Sequence, residues 1–278
     1  MFTLNCKGKL LAIGSPLVMG IINATPDSFY KGNMNDDMLL LAESMIAEGA
    51  AILDIGGQST RPGSERIPAS TEIERTIPVI KKIHEHFPAT IISIDTYQSQ
   101  VAEAAVDAGA SIVNDISAGN MDSNMIAAVA KLRVPYICMH MKGTPEHMQQ
   151  NISYDNVVKE VLDFFIEKIA ECSAAGIVDI IVDPGFGFGK TTGHNFELLK
   201  DLDLFSILGK PVLAGLSRKG SIYRTLGVTA AEALNGTTVL NTIALQNGAS
   251  ILRVHDVKEA KEAITLVEAY KGFEDLKI

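Results

Sequence analysis

Ile91-Ile92-Ser93-Ile94-Asp95 is a short apolar run that ends in a carboxylate, and the same pattern recurs along the whole chain. Runs of branched apolar residues without regular alternation are typical of parallel strands that are buried on both faces. Further runs of this kind end in a polar residue at Asn23, Asp54, Asn114 with Asp115, His140, Asp183, Ser217 and Arg253, with His255 two residues after the last. Polar residues at the carboxyl ends of so many strands indicate one shared pocket, which is the layout of a barrel enzyme.

Segments with helical periodicity separate these runs. The predicted helices cover residues 36–48, 71–86, 98–107, 123–131, 155–174, 195–202, 230–246 and 257–270. Regular alternation of strand and helix over 278 residues, with no Pro/Ser-rich linker, predicts an α/β fold, a (β/α)8 TIM barrel in a single domain spanning residues 1–278. An open, doubly wound parallel sheet is the alternative. Weak alternation around Lys7-Gly8-Lys9 predicts a short amino-terminal β-hairpin within residues 1–15.

The overall charge excludes some classes of function. A formal net charge of −9 and a pI near 5.2 are the opposite of the basic surface that binds nucleic acid. Because 47% of the residues are hydrophobic, the chain can build a large core. Any anionic substrate must be held by a local cluster of cations, since the protein as a whole repels it.

The cysteines and the amino terminus predict a cytoplasmic protein. Cys6, Cys138 and Cys172 are far apart and form no CxxC pattern, so buried reduced thiols are expected instead of a disulfide or a zinc site. The first nine residues lack the apolar segment of a signal peptide. No apolar run approaches the ~20 residues that cross a bilayer, so no membrane partner is expected.

Glycine-rich loops follow two of the strands and carry candidate ligand-binding residues. In the loop 54–64 the glycines allow close approach of the backbone, and Ser59, Thr60 and Arg61 can bind hydroxyls or anions, although an ordinary βα turn gives the same pattern. The segment 183–190 matches neither a Walker A loop nor GxGxxG. Its two aromatic residues behind a strand-end carboxylate predict a lid.

Cations follow the last two strands, at the place where barrels commonly bind phosphate. Lys219, Arg253 and His255 supply the positive charge, whereas Arg218 is expected to be structural and to pair with an acidic neighbour. After the first strand, Asn23 can offer a carbonyl oxygen to Mg²⁺, which prefers oxygen ligands. The sequence contains no GxSxG or HExxH motif, and His84, His86, His147 and His194 are expected at the surface or in the core.

These segments resemble the dihydropteroate synthase family over nearly the whole chain. The resemblance is carried, in order, by residues 23–29, 54–63, 93–96, 114–116, 139–141, 183–190, 217–219 and 253–256. It implies a TIM-barrel enzyme of folate synthesis, which uses Mg²⁺ and generally acts as a homodimer. The implied small-molecule substrates are 6-hydroxymethyl-7,8-dihydropterin pyrophosphate and para-aminobenzoate, and the implied products are 7,8-dihydropteroate and pyrophosphate.

The resemblance also implies a role for each site residue. It places the pterin among Asp95, Asn114 and Asp183, with Met139 as a wall, Lys219 on the ring carbonyl and Arg253 stacked on the ring. It assigns the binding of the pyrophosphate to Asn23, Arg61, Arg253 and His255. Asn23 would also bind the metal. It assigns the binding of para-aminobenzoate to Thr60, Pro62, Phe188 and the start of the helix after Lys219. Asp27 and Asp54 are expected to shape two mobile loops.

Two departures from the family pattern concern the loops. Gln58 stands where Glu is common, and residues 30–33 read Tyr-Lys-Gly-Asn where the family usually has Ser-Asp-Gly-Gly. Both lie outside the expected pterin pocket. They bear on loop closure and on para-aminobenzoate binding more than on the reaction.

The absence of a catalytic triad from the sequence fits the implied chemistry. Loss of pyrophosphate would leave a cation delocalised into the pterin ring, favoured by the Asp carboxylates, and an arylamine that is neutral at pH 7 can attack it without a strong base. Lys219, Arg253, His255, Asp95 and Asp183 are therefore the expected catalytic residues. A pterin-binding methyltransferase barrel and a catalytically silent paralogue are the alternatives, and His140 has no assigned role.

Overall fold

The computed structural model describes residues 1–25, 34–60, 63–150 and 152–272, without the side chains of residues 34 and 35. The strands are β1 (Phe2–Cys6), β2 (Lys9–Ile13), β3 (Leu17–Asn23), β4 (Ile52–Gly56), β5 (Ile91–Asp95), β6 (Ile112–Asp115), β7 (Tyr136–Met139), β8 (Ile180–Asp183), β9 (Leu213–Ala214) and β10 (Ile251–Val254). The helices are α1 (Met34–Ala47), α2 (Ala69–His86), α3 (Ser99–Ala108), α4 (Met125–Leu132), α5 (Val157–Ala174), α6 (Thr192–Lys200), α7 (Gly220–Leu226), α8 (Leu234–Gln246) and α9 (Val257–Gly272). A 3₁₀ helix, Leu202–Leu208, follows α6.

Eight parallel strands form a nearly closed barrel with helices between them, which confirms the predicted TIM barrel. The strand order is β8-β7-β6-β5-β4-β3-β10-β9, and a parallel bridge between Val182 and Val212 brings the two ends of the sheet together. The open doubly wound sheet is therefore wrong. Because the strands are parallel, all their carboxyl ends lie at one mouth of the barrel.

The predicted amino-terminal hairpin is also present. β1 and β2 pair antiparallel, with Cys6 opposite Lys9. Lys7 and Gly8 form the two-residue turn, and both have positive φ (52° and 89°), the backbone that suits a tight hairpin. The hairpin lies across the amino end of the barrel, where the amide of Asn5 donates to Asp179, the residue just before β8.

One apolar side chain from every barrel strand closes the amino end of the interior. These residues, together with Leu4, Cys6 and Ile13 of the hairpin, form one buried cluster: Met19, Ile52, Ile91, Ile112, Ile137, Ile181, Leu213 and Ile251. Side chains at i and i+2 of a strand point to the same face. Strand residues two positions further on therefore also face the interior, nearer the mouth.

The outward-facing strand residues pack against the helices in a second, larger core. Val18, Leu53, Ile92, Val113 and Leu252 belong to it, and each is one residue away from a member of the interior cluster. The strands are thus apolar on both faces at their amino ends, as the sequence predicted. No helix in the described parts of the chain is both long and apolar enough to span a membrane.

The helix boundaries differ from the predicted ones in two instructive places. The sequence predicted a helix from residue 71, but α2 begins at Ala69 with Pro68 at the N-cap and no side-chain cap bond. Proline has no amide hydrogen to leave unpaired and fixes a φ that suits a helix start. The predicted segment 195–202 corresponds to α6, which begins earlier because Thr191 forms a capping box with His194.

Candidate active site

The candidate active site is the layer of strand residues that follows the apolar plug toward the mouth of the barrel. Two positions after the plug residues the strands carry Asp54, Ser93, Asn114, Met139, Asp183 and Arg253. All of them are buried except Arg253, which is partly exposed. On β4, β8 and β10 the same face therefore changes from apolar to charged within two residues, and on β5 and β6 it changes to neutral polar.

Arg253 joins two of the acidic strands. Its Nε donates to Asp54 Oδ2 at 2.6 Å, and its Nη2 donates to Asp95 Oδ2 at 2.5 Å. Asn114 Nδ2 donates to the same oxygen of Asp54 at 3.0 Å. Four strands thus contribute to one hydrogen-bonded network, which fixes the directions of its members before any substrate arrives.

The two carboxylates of this network keep acceptor capacity. Within the described residues, Asp54 Oδ1 and Asp95 Oδ1 are buried and have no hydrogen-bond partner. Burial raises the pKa of Asp95 from 3.8 to about 7, with Asp54 adding to the increase and Arg253 opposing it. Unsatisfied buried acceptors are costly, so this arrangement suits a ligand that brings N–H donors.

Asp183 and Lys219 form the second charged part of the site. Both lie beside Gly215: a Cβ at that glycine would stand 3.7 Å from Lys219 Nζ and 3.9 Å from Asp183 Oδ2. Burial raises the pKa of Asp183, and the charge of Lys219 opposes that rise. Burial also lowers the pKa of Lys219 to about 8, although Asp183 pulls it the other way.

The loop after β8 holds Lys219 from the other side. Lys219 Nζ donates to the carbonyl oxygen of Phe186 and lies 4.8 Å from the ring centre of Phe188. Met139, Tyr97 and Ile116 form a small buried apolar cluster against which Phe188 packs. The predicted wall residues Met139 and Phe188 are therefore brought together.

The rim carries the remaining predicted residues. Asn23 ends β3 and is exposed, and His255 follows β10, the neighbour of β3 in the barrel. His255 Nδ1 lies 3.0 Å from Ser217 Oγ, which also accepts from the backbone amide of His255 at 3.2 Å. Arg218 makes two bonds to Asp256, at 2.9 and 2.7 Å, which confirms its predicted structural role.

Only part of the loop after β4 can be placed. Thr60 is half-buried at the mouth, whereas Arg61 and Pro62, and likewise Asp27, lie outside the described residues. Gln58 holds the two ends of this loop together. Its Nε2 donates to Ser59 O at 3.2 Å and to Glu65 O at 2.8 Å, and its Oε1 accepts from Ile67 N at 2.9 Å.

The sequence interpretation misplaced one residue of the network. Asp54 was expected to shape a mobile loop, but β4 continues to Gly56, and the Asp54 side chain is fully buried inside the barrel. Its position two residues after the plug residue Ile52 was the available signal. Ser221, whose buried hydroxyl has no partner among the described residues, was also not singled out.

Comparisons with known proteins agree with this geometry. Residues 19–255 match the family described as Pterin binding enzyme. The dihydropteroate synthase of Escherichia coli (strain K12) is 42% identical over 268 residues, which cover 95% of this chain and 94% of that protein.

Solved structures are equally similar. Dihydropteroate synthase of Xanthomonas albilineans with 4-aminobenzoic acid superposes with a TM-score of 0.92 at 41% identity, covering 97% of this chain and 98% of that one. The same enzyme in complex with 7,8-dihydropteroate gives a TM-score of 0.89 at 39% identity, covering 98% and 99% of the two chains.

Proposed function

Because this chain belongs to the pterin-binding enzyme family, among its dihydropteroate synthases, we propose that it joins 6-hydroxymethyl-7,8-dihydropterin pyrophosphate to para-aminobenzoate. The chain is a transferase that acts in folate synthesis. The products are 7,8-dihydropteroate and pyrophosphate. We further propose that it works in the cytoplasm as a homodimer, in keeping with the family resemblance.

The pterin occupies the buried polar layer. The observation that carries this assignment is the network of Arg253 with Asp54, Asp95 and Asn114, which leaves two buried carboxylate oxygens without partners among the described residues. A pterin presents an amino group and ring N–H donors along one edge, and such an edge can satisfy paired carboxylates. Asp183 accepts at the other side of the ring, and Lys219 donates to its carbonyl.

The pyrophosphate lies at the rim of the barrel, where cationic side chains cluster although the protein as a whole is acidic. Arg253 lies on β10, His255 directly follows that strand, and Asn23 ends the neighbouring β3. The exposed amide oxygen of Asn23 fits Mg²⁺, which keeps several waters and takes phosphate oxygens as further ligands. Bound there, the metal would neutralise part of the charge of the leaving pyrophosphate.

Para-aminobenzoate lies between the ring of Phe188 and Thr60, on the Phe188 side of Lys219. The ammonium group of Lys219 lies over the ring of Phe188 and, like the carboxylate of Asp183, beside Gly215. It therefore stands between the two proposed substrate positions. The buried hydroxyl of Ser221, one helical residue after Gly220, is a further candidate donor to the aryl carboxylate. Arg61 and Pro62 complete this site in the proposal.

The chemistry requires charge stabilisation more than proton transfer. The bond between the methylene carbon and the pyrophosphate oxygen breaks, and the oxygen keeps the electron pair. The carboxylates of Asp95 and Asp183 stabilise the resulting cation, since preorganised charges in a dry site act strongly. The amine then forms the new C–N bond, and its proton passes to the released pyrophosphate.

Formation of 7,8-dihydropteroate from the two substrates with Mg²⁺ tests the proposal. We expect turnover by the wild type and a loss of about 10²–10³-fold for Lys219→Ala, the size typical of removing one preorganised donor. If the wild type binds the pterin pyrophosphate but forms no product, the chain is a silent pterin-binding paralogue and the proposal is wrong.

The order of bond breaking has its own test. We expect labelled pyrophosphate to exchange into the pterin substrate without para-aminobenzoate, because the cation forms before the amine attacks. A complete lack of exchange, together with normal turnover when the amine is present, would contradict the dissociative order.

A further inference from the structure

Lys190 is a buried lysine to which the proposed reaction assigns no role. It ends the loop between β8 and α6 and is only 2% exposed. A buried ammonium group is stable only when hydrogen-bond acceptors surround it. The acceptors around Lys190 therefore show what this side chain does.

Its Nζ lies at the centre of four acceptors from two neighbouring loops. Within the loop after β8 these are Gly185 O at 3.0 Å and Phe188 O at 3.1 Å. From the end of β7 they are His140 Nδ1 at 2.9 Å and His140 O at 3.3 Å. Three ammonium hydrogens thus tie the loop both to itself and to the adjacent strand.

The contact defines the state of His140, which the sequence left without a role. Burial lowers the pKa of Lys190 well below its usual value, with Asp183 opposing the decrease and Lys219 adding to it. When Lys190 carries its proton it can only donate, so in that state His140 Nδ1 is the acceptor and the proton of the neutral ring is on Nε2. Phe164 meets this ring edge to face at 4.9 Å. Burial, reinforced by the charges of Lys190 and Lys142, lowers the pKa of His140 to about 2.

The backbone of the loop is built around the same contact. Gly185 has a φ of +71°, and a Cβ there would lie 1.9 Å from the carbonyl oxygen of His140. Gly189 has a φ of +62°, and a Cβ there would lie 2.3 Å from Lys142 O. The loop therefore runs against the chain at 140–142 at a distance that only glycine permits, and the carbonyl groups turn inward to Lys190.

The same loop also contacts Lys219. Between the two carbonyl groups that Lys190 binds lie the carbonyl of Phe186, which accepts from Lys219, and the chain leading to the ring of Phe188. We propose that Lys190, with His140 as its acceptor, is a positioning residue that fixes this loop so that Phe186 and Phe188 hold Lys219 and the aryl substrate. This inference rests on the proposed function of the site.

Lys190→Met tests the role in catalysis, because methionine fills the space but cannot donate. We expect the KM for para-aminobenzoate to rise at least about tenfold, since misplacing a binding wall by about 1 Å has effects of this order or larger. Affinity for the pterin pyrophosphate should fall less than affinity for para-aminobenzoate, because the network of Arg253 is untouched and only the contacts of Lys219 and Asp183 depend on this loop.

Lys168→Met is the matched control. Lys168 is also a largely buried lysine, with 14% of its side chain exposed, and it pairs with Glu171 on α5, away from the loop. We expect the KM for para-aminobenzoate to stay at the wild-type value. A folded Lys190→Met enzyme with wild-type KM, or an equal rise in both variants, would overturn the proposal.

Nitrogen NMR of the His140 ring tests the contact in the wild-type protein, without any variant that must fold. We expect a neutral ring with the proton on Nε2 that does not titrate between pH 5 and 8. A proton on Nδ1, or protonation near pH 6.5, would show that Lys190 does not donate to this ring and would overturn the proposal. Because the measurement needs no turnover, its result is independent of whether the reaction itself is confirmed.

Discussion

The two ends of the barrel interior are built on the same strands and behave in opposite ways. At the amino end, one apolar residue per strand packs under the hairpin in a cluster that includes Ile181. Two residues further along β8, Asp183 is buried with a raised pKa, and Asp54 and Asp95 leave carboxylate oxygens without partners in the described structure. The amino end stabilises the fold, whereas the carboxyl end buries charged groups with which a ligand can pair.

This difference shows how the barrel separates stability from function. Burying apolar side chains lowers the free energy of the folded state, whereas burying carboxylates costs free energy unless something pairs with them. The parallel strands place the two kinds of residue on one face at a spacing of two. Substitutions at the two ends should therefore affect different measurements.

The largest expected effect is that of Asp183→Asn at the charged end. In the proposed reaction this carboxylate stabilises the reacting cation, so its removal should lower kcat/KM for dihydropteroate formation about 10²–10³-fold, as for other preorganised electrostatic groups. Stability against denaturant should be unchanged or higher, because a buried charge is lost. A variant with normal turnover and reduced stability would reverse the comparison.

The pH dependence of activity and of stability should show the same opposition between function and stability within one residue, Asp95. Asp95 must be ionised to accept from the pterin, and burial raises its pKa to about 7. Below that pH, kcat/KM should fall about tenfold per unit.

The effect of Asp95 on stability has the opposite sign. Its folded pKa is above the ordinary value of 3.8, so the folded state holds the proton more tightly, and this contribution to stability is present below pH 4 and lost as the pH rises to about 7. Denaturant unfolding of the wild type and of Asp95→Asn across this window isolates the contribution. If the free energy of unfolding changed equally with pH in the two proteins, this contribution of Asp95 would be contradicted.

At the apolar end, Ile181→Val should change stability alone. Removing one buried methylene from the plug should cost about 0.5–1.5 kcal/mol of unfolding free energy. Both KM values and kcat should match the wild type, because the residue contacts other plug residues and not the substrates. Chemical denaturation and steady-state kinetics check this, and a changed KM for either substrate would show that the two layers are coupled.

The smallest expected effect is at the loop after β4. Gln58→Glu removes the donors that hold Ser59 O and Glu65 O and places a carboxylate beside these carbonyl oxygens. The KM for para-aminobenzoate should rise roughly two- to tenfold, since one or two hydrogen bonds of ordinary strength are lost. Gln58→Met removes the same bonds without adding charge. If both variants have wild-type KM values, the loop does not depend on this side chain.

The sequence predicted the fold and most of the charged layer because both follow from local patterns. Asp95 and Asp183 end apolar runs, and parallel strands bring such ends together at one mouth. Asp54 also ends an apolar run, but the resemblance assigned it to a mobile loop, although its spacing from Ile52 places it inside the barrel.

Other features could not be predicted because they depend on contacts between distant segments. Lys190 and His140 are 50 residues apart, and only the path of the loop after β8 brings the ammonium group to the ring. Gln58 looked like a departure from the family pattern, whereas the structure shows an amide that uses both its donor and its acceptor. The roles of Arg61 and Pro62 stay predictions.

The most direct test of the division between the two ends is a crystal structure with the pterin substrate bound. We expect the ring in the polar layer, with its donor edge on the carboxylates of Asp95 and Asp183, the side chain of Asn114 in contact, and Lys219 on the ring carbonyl. The apolar plug should not move. A pterin held at the rim with the Asp54–Arg253–Asp95 network unoccupied would contradict the account.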